Sequence, residues 1–200
     1  MATTLYLVRH AAHDRVGDTL CGRMPGVTLG PDGARQAEEI AQRLAAKSIA
    51  AVFSSPLERA IATAEPIARR LELSVQVADA LNEIDFGTWT GRRFETLAAD
   101  AGWTAWNRVR SSTRPPGGED FFAAQNRIVP FLKELAATYP DDGVVAVTHC
   151  DLIRAALCAF LDCRSVDDFR LFEIGPATVT TVVMWSDGWK VLGMNEAIAA

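Results

Sequence analysis

The chain has 200 residues, 49% of them hydrophobic, enough to bury a sizeable core in one large domain at the usual rate of roughly 100–200 residues per domain. A formal net charge of −5 argues against a general nucleic-acid-binding surface, because affinity for a phosphate backbone needs a basic face. No uninterrupted apolar run approaches the roughly 20 residues that cross a bilayer, and Met1-Ala-Thr-Thr carries neither basic nor long apolar character, so a soluble, cytoplasmic chain with no membrane partner is expected.

Short β-rich runs alternate with helical patterns along the chain, which predicts an α/β fold with a mainly parallel central sheet. The first strand is expected over Leu5–Val8, ending abruptly in Arg9-His10. Ala34, Ala37, Ile40, Ala41 and Leu44 then keep a helical spacing, with Arg35, Glu38, Glu39 and Arg43 turned outward. A second strand is read at Ala51–Phe53. It is followed by Ser55-Pro56 as a helix start, with Ser at the cap and Pro in the first turn. Pro66 and Pro130 fall inside helical patterns and predict a kink or break at each.

A weak strand is expected at Val75–Val77. From about residue 87 to 119 the pattern is the least regular, and it is read as a lid-like insertion above the sheet of one domain spanning 1–200. "STRPPGGED", residues 112 to 120, is the strongest loop signal. Strands follow at Val144–Val147 and Val179–Trp185, and "SDGWKVLG" reads as a tight turn into a short antiparallel edge strand. Cys21, Cys150, Cys158 and Cys163 show no Cys-x-x-Cys pairing and are assigned no function.

In an open parallel sheet, ligands bind beyond the carboxyl ends of the strands. Strand one ends in Arg9-His10, the second leads into Arg59 in the first turn of its helix, and "VVAVTHC" ends in Thr148-His149. Two arginines and two histidines can therefore converge on one crevice, a set suited to a dianionic phosphate because guanidinium groups offer paired donors and helix amino termini offer free N–H groups. Neighbouring positive charge would keep the His10 imidazole neutral and nucleophilic. Glu83 and Asp85, ahead of a Gly-rich turn, add a carboxyl group that can alternate between acid and base.

"LVRHA", "SSPLERAIATA", "LNEIDFGTWTG", "PPGGED" and "VTHC", in this order and spacing, resemble the histidine phosphatase superfamily, which includes the cofactor-dependent phosphoglycerate mutases. The resemblance runs from residue 5 to about 195. It implies the three-layer α/β/α sandwich of that family. It also implies that His10 attacks phosphorus to form a phosphohistidine, that Arg9, Arg59 and His149 hold the phosphoryl oxygens, and that Glu83 donates the proton, with Asp85 structural. No metal and no cofactor is expected; the partner is a small-molecule phosphate ester, and a homodimer is compatible with the sequence.

There are departures from the family pattern. Ala11 and Cys150 stand where Gly is usual, and Val16 replaces an Asn that many members carry. His13 and Asp14 are candidates to replace that Asn or to touch the substrate, and Arg23, Arg92 and Arg108 are further substrate-binding candidates. Trp103, Trp106, Arg108, Arg110 and Arg114 mark the expected lid.

Three features favour a phosphatase over a mutase-type phosphotransferase: the short chain, the continuation Phe86-Gly-Thr-Trp-Thr-Gly91, and "PPGGED". The alternatives are that mutase chemistry and a phosphate-binding module without turnover. Cys158 and Arg164 have a Cys-x5-Arg spacing, but "AFLDC" lacks the glycines of a phosphate-cradling loop. His10, His13 and Asp14 as metal ligands lack a second carboxylate cluster.

Overall fold

A computed structural model describes residues 1–197. Six strands form one mixed sheet in the order β3-β2-β4-β1-β5-β6. They are β1 (Ala2–Arg9), β2 (Ile49–Ser54), β3 (Val75–Val77), β4 (Gly143–Thr148), β5 (Val179–Trp185) and β6 (Gly188–Glu196). The four from β3 to β1 run parallel, while β5 pairs antiparallel with both β1 and β6. The helices are α1 (Pro31–Leu44), α2 (Glu58–Arg70), α3 (Phe94–Leu97), α4 (Ala101–Trp106), α5 (Phe121–Thr138) and α6 (Cys150–Phe160).

Strand β4 shows why the molecule has three layers. All six of its residues are buried, as a strand covered on both faces must be. Val145 and Val147 pack with Ile40, Ala41, Ala64 and Ile67 of α1 and α2, whereas Val144 and Ala146 pack with Ile128 and Leu132 of α5 and Ile153 and Leu157 of α6. The period-2 alternation of the strand thus feeds two separate cores. Helix α1, which follows β1, covers one face, and α6, which follows β4, covers the other. A crevice therefore opens between the neighbouring carboxyl ends of β1 and β4.

Several expectations need correction. The helix expected from Ser55-Pro56 starts at Glu58, with Leu57 at its cap position. Pro66 and Pro130 break nothing, for α2 and α5 run continuously through them. Buried residues on both sides of each proline, such as Ala64 and Ile67 or Ile128 and Leu132, hold the flanking turns in place against the roughly 3 kcal/mol that an internal proline costs. The edge strand is not short: after the two-residue turn Ser186-Asp187, β6 runs nine residues.

Between β3 and α5 the chain has no strand, and an aromatic cluster supplies its order instead. Trp103 meets Trp89 edge-on at 5.5 Å and Phe86 at 6.4 Å, and Trp106 lies 6.5 Å from Phe121. The "PPGGED" loop is stitched to the turn after Glu83 by Thr88 N to Pro116 O, 3.0 Å, and Glu119 N to Asp85 O, 2.8 Å. Gly87 makes this approach feasible: its φ is +51°, and a Cβ there would sit 2.1 Å from Pro116 O. Gly87→Ala is therefore expected to cost about 2–5 kcal/mol, from the left-handed backbone and the overlap together. A thermal melt should show Tm lowered by roughly 5–15 °C for a chain of this size; an unchanged Tm would contradict this account of the turn.

Candidate functional site

The register of the parallel β1–β4 pair sets Arg9 beside Thr148, and a backbone hydrogen bond from His10 N to Thr148 O, 2.9 Å, carries the pairing one residue past the strand. Ser55 N donates to Val147 O at 2.9 Å, which brings the end of β2 to the same level. Thr148 Oγ1 donates to Leu81 O at 2.7 Å, fixing the chain two residues before Glu83. Four segments distant in sequence thereby meet around a cleft of about 260 Å³.

His10 is 4% exposed. Its Nδ1 lies 2.9 Å from the carbonyl of Ala11, which can only accept, so the neutral ring carries its proton on Nδ1 and leaves Nε2 unprotonated. Arg59 Nε donates to that Nε2 at 3.3 Å. Burial first, then Arg59 and Arg9, holds the imidazole well below its usual pKa, so it is neutral at pH 7. Ala11 needs no positive φ, and its N–H donates to Thr63 Oγ1 at 3.0 Å, so the side chain that replaces the usual glycine imposes no backbone strain.

Arg59 is 2% exposed, held by Nη2 to Gly22 O at 2.7 Å and to His149 Nδ1 at 3.3 Å. Arg9 Nη1 donates to Ile174 O. Arg59 Nη1 and Arg9 Nε, however, are buried without an acceptor among the described residues. Unpaired buried donors are rare and costly, and two of them beside one imidazole call for an anion.

His149 is fully buried, its ring centroid 5.1 Å from that of His10. With a guanidinium on its Nδ1 side, the neutral ring has its proton on Nε2, donated to Ser55 Oγ at 2.7 Å. Burial first, then Arg59 and His10, lowers its pKa well below the usual value. Glu83 Oε2 stands 3.9 Å from His149 Nδ1. Burial, reinforced by the charge of Asp151, pushes the Glu83 carboxyl up to about 7. Its main-chain carbonyl is gripped by Arg23 Nε at 2.7 Å and Arg127 Nη2 at 3.1 Å, and both arginines are ion-paired to Glu119 of the "PPGGED" loop.

Arg9, His10, Arg59, Glu83 and His13 line the cleft, with His149 directly behind. His13 stacks on His10 at 5.5 Å; burial, then Arg59 and Arg9, brings it down to about 4. Val16 lies at the rim, where it offers no hydrogen bond.

The other substrate-binding candidates lie elsewhere. Asp14 and Arg108 are exposed, away from the cleft lining. Arg92 is tied to Asp100 at 2.9 Å, and Arg23 serves the main chain of Glu83. Side-chain direction in irregular backbone is set by packing partners, which spacing does not reveal. Arg114 of the expected lid bonds to Gly118 O at 2.6 Å.

Sequence reasoning missed Ser55 as the partner of His149, and it missed Asp151 and Arg154, which line the cleft; Arg110, placed in the expected lid, lines it as well. One signal was present: Asp151 and Arg154 lie three residues apart in the first turns of the helix after His149.

A buried, neutral imidazole between orphaned arginine donors, faced by a carboxyl that titrates near neutrality, is equipped for phosphate-ester chemistry. The family model of the histidine phosphatase superfamily (branch 1) matches residues 5–197, and the chain belongs to that superfamily. Phosphoserine phosphatase 1 of Hydrogenobacter thermophilus is 34% identical over 177 residues, covering 86% of this chain and 81% of that protein. A glucosyl-3-phosphoglycerate phosphatase of Mycobacterium tuberculosis is 33% identical over 171 residues, covering 80% and 76%. The solved structure of a mycobacterial glucosyl-3-phosphoglycerate phosphatase superposes with a TM-score of 0.88 at 28% identity over 98% of this chain and 100% of that one.

Ser55→Ala should leave the buried Nε2–H of His149 without an acceptor, at a cost of about 1–3 kcal/mol. Urea denaturation should read this as a lower midpoint at unchanged m-value; an equal midpoint would show that His149 is held by other means.

Proposed function

We propose that the protein is a phosphomonoesterase that hydrolyses a small phosphorylated metabolite through a phosphohistidine on His10, without a metal ion. The observation that carries this reading is the pair of orphaned donors, Arg9 Nε and Arg59 Nη1, beside the unprotonated Nε2 of His10. Phosphatase names among the relatives support hydrolysis as the outcome. The modest cleft supports a small substrate. Four free thiols fit a reducing cytoplasm.

In the first step the Nε2 lone pair attacks phosphorus in line with the ester oxygen. The N–P bond forms, the P–O bond to the alcohol breaks, and neutral Glu83 gives its proton to the departing alkoxide. Arg9 and Arg59 stabilise the charge on the equatorial oxygens, and once the bound phosphate draws Arg59 Nη2 away from His149 Nδ1, the His149 proton moves to Nδ1 to join them, with Ser55 Oγ donating to Nε2 in its place. In the second step the Glu83 carboxylate takes a proton from water, the hydroxide attacks phosphorus, and the N–P bond breaks to release inorganic phosphate. This returns the proton to Glu83 and the lone pair to His10. We read the segment from 87 to 119 as the cover of this chamber, which excludes bulk water during the transfer.

Hydrolysis of p-nitrophenyl phosphate tests this reading. Wild-type turnover should survive EDTA, and His10→Ala should lose at least 10³-fold in kcat with an unchanged thermal melt, as the removal of a nucleophile requires. Turnover that persists in His10→Ala, or that EDTA abolishes, would falsify the mechanism.

Glu83 predicts a second result. It must be protonated to act as acid, and its pKa lies near 7, while His10 titrates below its ordinary value and is already neutral there. For an alkyl phosphate, kcat/KM should hold steady just below pH 7 and fall about tenfold per unit above it. Glu83→Gln should remove that limb and slow alkyl phosphates about 10²–10⁴-fold, with a much smaller loss on p-nitrophenyl phosphate, whose leaving group departs without a proton. Equal losses on both substrates would take the acid role away from Glu83.

A further inference from the structure

Helix α6 ends in a backbone motif that brings two thiols together, outside the cleft and unused by the phosphoryl chemistry. Leu161 is its cap and Asp162 follows with φ +50°. The main chain closes through Asp162 N to Ala159 O at 3.3 Å and Cys163 N to Cys158 O at 3.0 Å. In such an ending, a left-handed residue lets the two residues joined by the longer-range bond pack side chain against side chain. That contact is ordinarily between apolar groups. Here it joins Cys158 to Cys163, and the two thiols are hydrogen-bonded to each other. Cys21 and Cys150 instead bond to main-chain carbonyls, Thr19 O at 3.6 Å and Ile174 O at 3.5 Å.

A disulfide needs Cα atoms roughly 4.4–6.8 Å apart and side chains that converge. The direct main-chain bond between Cys158 and Cys163 meets the first condition, and the thiol contact meets the second. The two sulfurs differ in access: Cys158 is 4% exposed, with its Sγ 3.8 Å from Val166 O, whereas Cys163 is only partly buried. Burial pushes Cys158 up to about 12 and raises Cys163 as well, so neither thiol is a fast nucleophile alone. Proximity favours the step between them.

We propose that Cys158 and Cys163 are a modification site, a dithiol that a low-molecular-weight disulfide converts reversibly into an internal disulfide. The Cys163 thiolate attacks one sulfur of the reagent, which forms a mixed disulfide and releases one thiol. The Cys158 thiolate then attacks the Cys163 sulfur, which forms the internal S–S bond and releases the second thiol. The two protons lost by the protein end on the two released thiols, so the pair is oxidised by two electrons and the reagent is reduced by two. The bond closes a ring from residue 158 to 163 across the end of α6, the helix whose first turns hold Asp151 and Arg154 at the cleft. Its effect is to clasp that helix, because the unfolded chain loses freedom while the native main chain is already in position.

The test treats the full chain with oxidised glutathione, traps the remaining thiols, and counts and maps them in the denatured protein. Titratable thiols should fall from the four free cysteines to two, with Cys158 and Cys163 recovered as one cross-linked peptide and dithiothreitol restoring all four. Tm of the oxidised protein should rise by about 4–8 °C. Cys158→Ser should stop at one glutathione held on Cys163, and Cys163→Ser should leave Cys158 unmodified. Four thiols remaining, a disulfide mapped to another pair, or a wild type that stops at the mixed disulfide would overturn the site. A Tm that does not rise when the bond has formed would overturn the clasp. Should either serine variant fail to fold, the wild-type map and melt decide by themselves.

Discussion

The site depends on one backbone pairing, the parallel ladder between β1 and β4 with its closing hydrogen bond from His10 N to Thr148 O. Because the chain leaves β1 toward one face of the sheet and β4 toward the other, their carboxyl ends stay open where every other side of both strands is covered. His10 and His149 are brought together by that register, 139 residues apart in sequence and 5.1 Å apart at their ring centroids. A one-residue slip would turn the alternating side chains of β1 into the wrong core and separate the two rings.

Burial then assigns protonation states that no isolated residue would have. The same desolvation lowers His10 and His149 and raises Glu83, because it disfavours whichever form is charged. Two cations, Arg9 and Arg59, push the imidazoles further in that direction. Asp151 does the same for Glu83, while Arg59 opposes it. Just below neutrality the cleft therefore holds an uncharged imidazole and a largely uncharged carboxyl beside permanent positive charge, and the missing partner in this balance is an anion. Asp151 itself is held below its usual range despite its burial, since Arg110 and Arg154 outweigh the loss of water.

The segment from 87 to 119 is ordered by aromatic packing and by the "PPGGED" loop. Glu119 in that loop links Arg23 and Arg127, and these grip the carbonyl of Glu83, so one carboxylate at the loop's end orients a backbone unit whose side chain faces the cleft. The aromatic set Trp106, Phe121 and Phe169 in turn fixes Arg110 at the cleft's far wall. Elements with little regular secondary structure thus act as walls, through ring contacts and ion pairs.

The sequence by itself determined the layers and the residues at the strand ends. Strand and helix periods are local, and a polar pair that stops an apolar run marks a carboxyl end whatever the chain does later. Arg9-His10 and Thr148-His149 were legible for that reason, whereas Arg59 was read from the helix start after the second strand and Glu83 from the family resemblance. Tertiary structure alone decided that Ser55 accepts from His149 rather than capping a helix, and that Arg23 serves the Glu83 carbonyl. It also decided that Arg110, not Arg108, reaches the cleft. The direction of a side chain outside regular structure is set by partners far along the chain. Arg110 turns inward because Phe169 and Asp151, more than forty residues later by the numbering, give its guanidinium a ring and a charge to rest against.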